Sequence, residues 1–180
     1  MRLIILDRDG VINEDSDDFI KSPDEWTPVP GSIDAIARLT HADYRVLVVT
    51  NQSGVARGLF DLDTLMRIHD KMHRLVGEAG GQIEAVFFCP HGPEDDCDCR
   101  KPKPGMFHEI SRRLMVDLDG VPAVGDSLRD LQAAKAARAT PFLVRTGKGM
   151  RTLANPEAIE GIEVFDDLAE VVDHLLSVSA

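Results

Sequence analysis

Short apolar runs along the chain are separated by longer stretches in which apolar residues recur with a helical period. The short runs predict five β-strands: Arg2–Leu6, Arg45–Thr50, Ala85–Phe88, Pro122–Val124 and Pro141–Val144. The periodic stretches predict five helices: Ser32–His41, Leu62–Ala79, Met106–Met115, Leu128–Ala137 and Leu168–Leu176. Ser32 and Asp61 stand where helix N-caps belong, and Gly80-Gly81 favours a helix end.

The predicted strands are apolar throughout and do not alternate with polar residues. This pattern is typical of parallel strands that are buried on both faces, and helices between the strands provide the cover. We therefore predict an α/β fold, with one doubly wound (Rossmann-like) parallel sheet and helices on both faces. We expect a single domain over residues 1–180, without a large inserted cap domain.

Composition narrows the functional classes. The chain has 180 residues, 43% of them apolar, and a formal net charge of -11. This charge argues against a general nucleic-acid binder or a protein of anionic membrane surfaces, although a metal ion and a few cations still allow an anionic substrate. No signal-peptide pattern and no membrane-span run is present. We expect a cytoplasmic protein, and a monomer by default.

Polar residues follow the predicted strands, where an open α/β sheet binds its ligands. Asp7 and Asp9 follow the first strand, Thr50 ends the second, and Asp126 follows the fourth. Residues two apart in an extended segment share a face, and carboxylates gathered in this way favour Mg²⁺. A carboxylate can also serve as a nucleophile towards phosphorus. Taken alone, Asp-x-Asp-Gly also fits a simple turn.

A second cluster lies between residues 89 and 99, which hold all three cysteines. Cys89, His91, Cys97 and Cys99 make a complete Cys₃His set for a structural zinc ion. Three cysteines in a cytoplasmic chain favour a metal site over a disulfide framework. The alternatives are a cluster of free thiols or a redox pair of Cys97 and Cys99. The loop continues directly into Arg100-Lys101, so zinc is expected to fix those two cations.

These motifs resemble those of the haloacid dehalogenase-like phosphatases, over nearly the whole chain. The matching residues are Asp7-x-Asp9-Gly10, Thr50, Lys101 and Gly125-Asp126-x-x-x-Asp130. The resemblance implies that Asp7 is the nucleophile and Asp9 the general acid. It also implies that Mg²⁺ is held by the carboxylates of Asp7 and Asp126 and by the backbone carbonyl of Asp9. Thr50 and Lys101 would bind the transferring phosphoryl group.

Two further stretches, residues 50–58 and 97–106, resemble a branch of bacterial enzymes that dephosphorylate heptose bisphosphates on the way to nucleotide-activated heptose and lipopolysaccharide. That branch implies a small sugar bisphosphate as the substrate. Candidate substrate-binding residues are Asp15, Asp18, Asn51, Gln52, Ser53, Arg57, Arg100 and Ser127. Planar guanidinium groups bind phosphate in a bidentate manner, so Arg57 and Arg100 are expected at the second phosphate.

Two alternatives remain at this point. A phosphatase of histidinol phosphate shares the zinc loop, and the carboxylates at positions 15–18, where heptose enzymes carry a His-Gly-Tyr segment, fit either hydroxyl groups or an ammonium group. A phospho-receiver signalling module is more remote, because it lacks the zinc loop and the Asp-x-Asp pair. His69 and His73 have a chelating spacing but no third ligand, so we expect them on an ordinary exposed helix face.

Overall fold

The computed structural model describes residues 2–178 and contains a six-stranded parallel sheet in the order β3-β2-β1-β4-β5-β6. The strands are β1 (Arg2–Leu6), β2 (Tyr44–Asn51), β3 (Ala85–Cys89), β4 (Pro122–Gly125), β5 (Thr140–Val144) and β6 (Glu163–Phe165). The helices are α1 (Ser32–His41), α2 (Leu62–Glu78), α3 (Gly105–Leu114), α4 (Leu128–Ala136), α5 (Gly149–Leu153) and α6 (Leu168–Val178). The predicted doubly wound fold is confirmed, and the described residues contain no inserted cap domain.

The apolar strands bury both of their faces. Ile4 and Leu6 of β1 point into a core that α1, α2 and α6 cover. Leu3 and Ile5 of the same strand point into a second core, formed with residues of α3 and α4. Successive side chains of a strand point to opposite faces, so a strand between two helical layers must be apolar at every position.

Apart from two short 3₁₀ helices, Pro23–Glu25 and Pro156–Ile159, the structure contains two elements that the sequence pattern did not predict, the edge strand β6 and the short helix α5. Both are too short to carry a recognisable period, and β6 begins with a charged residue. Phe165 of β6 and Leu168 of α6 are buried, so β6 and α6 pack against the core although the segment around them is rich in acidic residues.

Two of the three predicted helix-end signals hold. Asp61 caps α2 by accepting a hydrogen bond from the Thr64 N–H, and Gly80 follows the end of that helix with a positive φ of 81°. The N-cap of α1 is Gly31 and not Ser32. The Ser32 hydroxyl instead donates to the Ile12 carbonyl at 2.6 Å, and so ties the helix to the loop that follows β1.

Candidate active site

A polar cavity of about 280 Å³ opens at the carboxyl ends of β1, β2 and β4. β1 and β4 are neighbours in the sheet although they are far apart in sequence, so the order of strands reverses here. Such a reversal is where doubly wound folds bind their ligands. The predicted residues that line the cavity are Asp7, Asp9, Asp15, Thr50, Asn51, Gln52, Ser53, Arg57, Arg100, Lys101, Asp126 and Ser127.

A buried lysine lies between two carboxylates on the floor of this cavity. The Nζ atom of Lys101 is 3.0 Å from Asp7 Oδ1 and 2.7 Å from Asp130 Oδ1. It also donates to the Val49 carbonyl at 3.0 Å. Burial alone would lower the pKa of Lys101, but the charges of Asp130 and Asp7 raise it well above its usual range. Lys101 is therefore held as a cation beside the Asp7 carboxylate.

Asp126 is enclosed by backbone from two other loops. Its Oδ2 atom accepts the Lys148 N–H at 2.7 Å. A Cβ atom on Gly10 would lie 2.0 Å from this oxygen, and one on Gly147 would lie 2.2 Å from it. Gly10 also has a positive φ of 86°. The glycine of Asp-x-Asp-Gly is therefore required for the close approach of the first loop to Asp126.

The carboxylates of Asp7 and Asp126 fit a divalent cation. Oxygen atoms of Asp7, Asp126 and Asp130 lie within 4.8 Å of one another. Burial and then the Asp130 charge raise the pKa of Asp7 to about 7 and that of Asp126 to about 9. Among residues 2–178, no donor reaches Asp7 Oδ2 or Asp126 Oδ1, whereas Asp130 is engaged by Lys101 and by Ser127. The free oxygens of Asp7 and Asp126 would hold Mg²⁺.

We expect Mg²⁺ to bind more tightly as the pH rises from about 6 to about 9. Asp7 and Asp126 must both lose their protons before they can bind the ion, and their raised pKa values fall in this range. Calorimetric titration with Mg²⁺ in buffers of different ionisation enthalpy measures the affinity and the protons released. Asp126→Asn should release fewer protons on binding. A Mg²⁺ affinity that does not change over this range would contradict the expectation.

Asp9 lies in a different environment, although it is two residues from Asp7. The buried guanidinium of Arg8 donates to both carboxylate oxygens of Asp9, at 2.9 Å and 3.1 Å. Asn13 and Gln52 donate to the same carboxylate at 2.8 Å and 2.9 Å. Burial would raise the pKa of Asp9, but Arg8 and these amides lower it. In the free protein Asp9 is therefore an anion.

The expectation that His69 lies on an exposed helix face is wrong. His69 is only 5% exposed, and its Nε2 atom is 3.2 Å from Arg8 Nη1. Burial and then the charge of Arg8 lower its pKa to about 3, so the ring is neutral and accepts a hydrogen bond from the guanidinium. His73, one turn later, is exposed as expected.

Several predicted residues are held by the protein itself. The amide of Asn51 exchanges two hydrogen bonds of 3.0 Å with the backbone of Lys101. Gln52 donates to the Thr50 hydroxyl at 2.8 Å as well as to Asp9. Ser127 is the N-cap of α4, and its hydroxyl donates to Asp130 at 2.7 Å. These contacts fix the side chains and backbone that face the cavity.

The acidic segment 15–18, which follows Asp7-x-Asp9-Gly10, has some residues at the cavity and one outside it. Asp15 lines the cavity and is paired with Lys148 at 2.8 Å, and Asp17 is paired with Arg151 through two hydrogen bonds. Asp18 is exposed on the outer surface and does not line the cavity. The prediction that Asp18 is near the substrate therefore finds no support in its position.

Three arginines, Arg57, Arg100 and Arg129, lie at the mouth of the cavity. The Arg57 guanidinium is 5.6 Å from the centre of the Phe19 ring, and Arg100 donates to the His91 carbonyl at 3.3 Å. Burial and then the charge of Arg129 lower the pKa of Arg100; Cys89 and Cys97 oppose this, and Arg57 lowers it further. Arg100 is therefore close enough to Arg129 and to Arg57 to be repelled by both.

The predicted zinc ligands converge on one point beside this mouth. The Sγ atom of Cys89 is 3.6 Å from Cys97 Sγ and 3.1 Å from Cys99 Sγ, and His91 Nδ1 is 3.3 Å from Cys99 Sγ. Ligands about 2.3 Å from a tetrahedral zinc ion would be separated by about 3.8 Å. A redox pair of Cys97 and Cys99 would leave the convergence of Cys89 and His91 unexplained. The cluster fits structural zinc.

Sequence reasoning missed three residues of the site: Arg8, Arg129 and Lys148. Arg8 stands between the two aspartates, but nothing in its sequence context indicates that it is fully buried. Arg129 lies in the first turn of α4, two residues after the N-cap Ser127. A basic residue is unfavourable at this position, and its presence is a signal that sequence reasoning could have used. Lys148 lies in a glycine-rich turn, and only the fold brings it to Asp15 and Asp126.

Two family models match the chain. The model described as Polynucleotide kinase 3 phosphatase matches residues 2–134, and the model described as HAD-hydrolase-like matches residues 98–171. The fold and the site together define a phosphatase of the haloacid dehalogenase-like class.

Individual relatives match over nearly the full length. A D-glycero-beta-D-manno-heptose-1,7-bisphosphate 7-phosphatase of Bordetella bronchiseptica is 63% identical, over 98% of both chains, and one of Pseudomonas aeruginosa is 57% identical, over 97% of both. The crystal structure of a D,D-heptose 1,7-bisphosphate phosphatase from B. bronchiseptica, complexed with magnesium and phosphate, matches with a TM-score of 0.97, 62% identity and 99% coverage of both chains. A second such structure, from Burkholderia thailandensis, has a TM-score of 0.78 and 49% identity, with 98% of this chain and 99% of that chain covered.

The chain therefore belongs to the D-glycero-beta-D-manno-heptose-1,7-bisphosphate 7-phosphatases, and it is a phosphoric monoester hydrolase. The resemblance to the haloacid dehalogenase-like phosphatases and the resemblance to the heptose bisphosphate branch are therefore both confirmed. No helix among the described residues is long and apolar enough to cross a membrane.

Proposed function

We propose that this protein is a Mg²⁺-dependent phosphatase that removes the 7-phosphate of D-glycero-β-D-manno-heptose 1,7-bisphosphate, through a phosphorylated aspartate. The observation that carries the proposal is the charge pattern of one cavity, which has a carboxylate pair with free oxygens on its floor and three arginines at its mouth. The floor fits the reacting phosphoryl group and its metal, and the mouth fits a second phosphate. The names of the relatives supply the sugar and its anomer.

We assign the nucleophile to Asp7. Its Oδ1 atom is bound by Lys101 and by the Arg8 N–H, so the carboxylate has a fixed orientation. The attacking oxygen forms a bond to phosphorus while the bond from phosphorus to the sugar oxygen breaks. Lys101 and the Thr50 hydroxyl stabilise charge on the transferring phosphoryl group. Bound Mg²⁺ would supply the further positive charge that lets a carboxylate approach a phosphate dianion.

We assign proton transfer to Asp9. In the free protein Arg8 keeps Asp9 ionised, so the carboxylate must take up a proton before it can protonate the departing sugar oxygen. The negative phosphoryl group of a bound substrate would favour that protonated form, because like charges repel. After the sugar leaves, Asp9 is again an anion, and in that form it can remove a proton from the water that hydrolyses the phosphorylated Asp7.

The arrangement favours a sugar bisphosphate over histidinol phosphate. Recognition of an ammonium group needs carboxylates that are free to bind it, yet Asp15 and Asp17 already have Lys148 and Arg151 as partners. The three arginines at the mouth would instead repel a cationic substrate. That the enzyme is one domain, a monomer and cytoplasmic remains a prediction.

Phosphate release from a panel of substrates tests the proposal. The panel contains the β and α anomers of heptose 1,7-bisphosphate and histidinol phosphate, each with Mg²⁺ and with EDTA. We expect the highest kcat/KM for the β anomer, and activity only with Mg²⁺. A preference for histidinol phosphate would overturn the substrate assignment, and full activity after removal of Mg²⁺ would overturn the metal assignment.

Arg57→Ala should raise KM for the bisphosphate by about 10-fold or more while changing KM for heptose 7-phosphate little. The expected size follows from the loss of a charge-assisted hydrogen bond to the second phosphate. Steady-state kinetics with both substrates measures the difference. Equal effects on both would show that the distal phosphate does not depend on Arg57. Arg67→Ala, an exposed substitution on α2, is a control for the loss of one positive charge.

A further inference from the structure

The three arginines at the mouth of the cavity lack carboxylate partners. The chain carries 31 acidic and 20 basic residues, so carboxylates outnumber the basic side chains that could pair with them. The two lysines that line the same cavity, Lys101 and Lys148, both have carboxylate partners. Within residues 2–178, Arg57, Arg100 and Arg129 form no ion pair with a carboxylate. No carboxylate among these residues therefore neutralises the three guanidinium groups.

Arg129 has a second unfavourable feature, which is its position in helix α4. It lies between the N-cap Ser127 and the third helical residue, Asp130, and is thus in the first turn. The helix macrodipole places positive charge at this end, so an acidic or neutral side chain would be more stable there. The Arg129 side chain is exposed, so packing does not require an arginine at this position. An arginine at this position destabilises the N-terminal end of α4. A bound anion would explain why an arginine is present.

The surroundings of Arg129 show where that ligand would lie. Arg129 lines the active-site cavity and also a neighbouring groove of about 350 Å³ below the zinc loop. Pro93, Arg100 and Lys101 line both spaces as well. The cavity and the groove therefore adjoin, and Arg129 and Arg100 stand at the junction. A group that extends from the floor of the cavity towards the zinc loop would lie near these two side chains.

We propose that Arg129 binds the distal phosphate of the substrate together with Arg100, so that the sugar extends from Asp7 towards the junction between the zinc loop and α4. This assignment rests on the proposed function. A phosphate dianion at the junction accepts hydrogen bonds from both guanidinium groups and removes the repulsion between them. It also places negative charge at the N-terminal end of α4, where the macrodipole favours an anion.

The test compares two substrates that react at the same position and differ only in the distal phosphate. Wild type, Arg129→Gln and Arg129→Lys are assayed with heptose 1,7-bisphosphate and with heptose 7-phosphate. Lys135→Gln is the matched control, because it removes one positive charge from an exposed position at the other end of the same helix. Thermal unfolding of each variant in the absence of substrate reports the stability of the fold.

For Arg129→Gln we expect kcat/KM with the bisphosphate to fall about 10- to 100-fold and kcat/KM with heptose 7-phosphate to change less than about threefold. Arg129→Lys should recover part of the loss, and Lys135→Gln should show neither effect. The Tm of Arg129→Gln should stay equal or rise, since an unfavourable charge is removed.

Equal losses with both substrates, or the same loss for Lys135→Gln, would overturn the assignment. So would a Tm that falls by several degrees together with both activities, because Arg129 would then be a structural residue. No discrimination by the wild type between the two heptose phosphates would also overturn the assignment, because no group would then bind the distal phosphate. A wild-type enzyme that releases no phosphate from either heptose substrate with Mg²⁺ present would refute the proposed function itself, and that outcome is separate from a failure at Arg129.

Discussion

Replacement of Asp7 by asparagine should lower turnover by at least about 10⁴-fold while the protein remains folded. The amide has nearly the same shape as the carboxylate but cannot attack phosphorus as a nucleophile. Lys101 keeps Asp130 as its partner, at 2.7 Å, so the buried lysine is not left without a counter-charge. The measurement is phosphate release from heptose 1,7-bisphosphate with saturating Mg²⁺. A variant with near wild-type turnover would show that another group attacks the substrate.

Asp7→Asn also tests a prediction about stability, because burial and the Asp130 charge raise the pKa of Asp7 to about 7. The folded state therefore holds the Asp7 proton more tightly than the unfolded state does. The contribution of this group to the free energy of unfolding decreases as the pH rises from about 4 to about 7. In EDTA at pH 8, Asp7→Asn should thus be at least as stable as the wild type. A clear loss of stability at that pH would mean that the ionised Asp7 carboxylate stabilises the fold.

Removal of zinc should lower turnover about 10²-fold or more, although no ligand of the Cys₃His cluster faces the reacting groups. The cluster holds the loop that leads into Arg100 and Lys101. Arg100 donates to the carbonyl of the ligand His91, and Lys103 donates to the carbonyl of the ligand Cys97. Without zinc the three sulfurs would no longer be held together, and a shift of about 1 Å at Lys101 is enough for a loss of this size.

The experiment removes zinc with a zinc-selective chelator, restores Mg²⁺ in excess, and then measures zinc content, Tm and turnover. Cys97→Ser should reproduce the effect of the chelator. Asp98→Asn, between two of the ligands, is the matched control because its side chain is fully exposed. Full zinc loss with unchanged KM and kcat would show that the loop keeps Arg100 and Lys101 in place without the ion.

Much of the fold and part of the candidate site could be predicted from local pattern. Continuous apolar strands separated by helical periods led to the parallel sheet, and parallel strands end at one edge. Asp7, Thr50, Lys101 and Asp126 could therefore be placed together, and the structure brings them together. The zinc cluster was predictable for a similar reason, since its four ligands lie within eleven residues of one another.

The order of apolar and polar residues is enough to show which chemical groups meet at the edge of the sheet, because a strand fixes the direction of the residues that follow it. Their charge states and their partners depend on contacts that form only in the folded protein. Asp9 is ionised because Arg8 is buried against it, His69 is neutral because the core encloses it, and Asp15 is paired with a lysine 133 positions later. Burial and contacts between residues far apart in the chain set these pKa values. Neither can be read from the periodicity or the spacing of residues in the sequence.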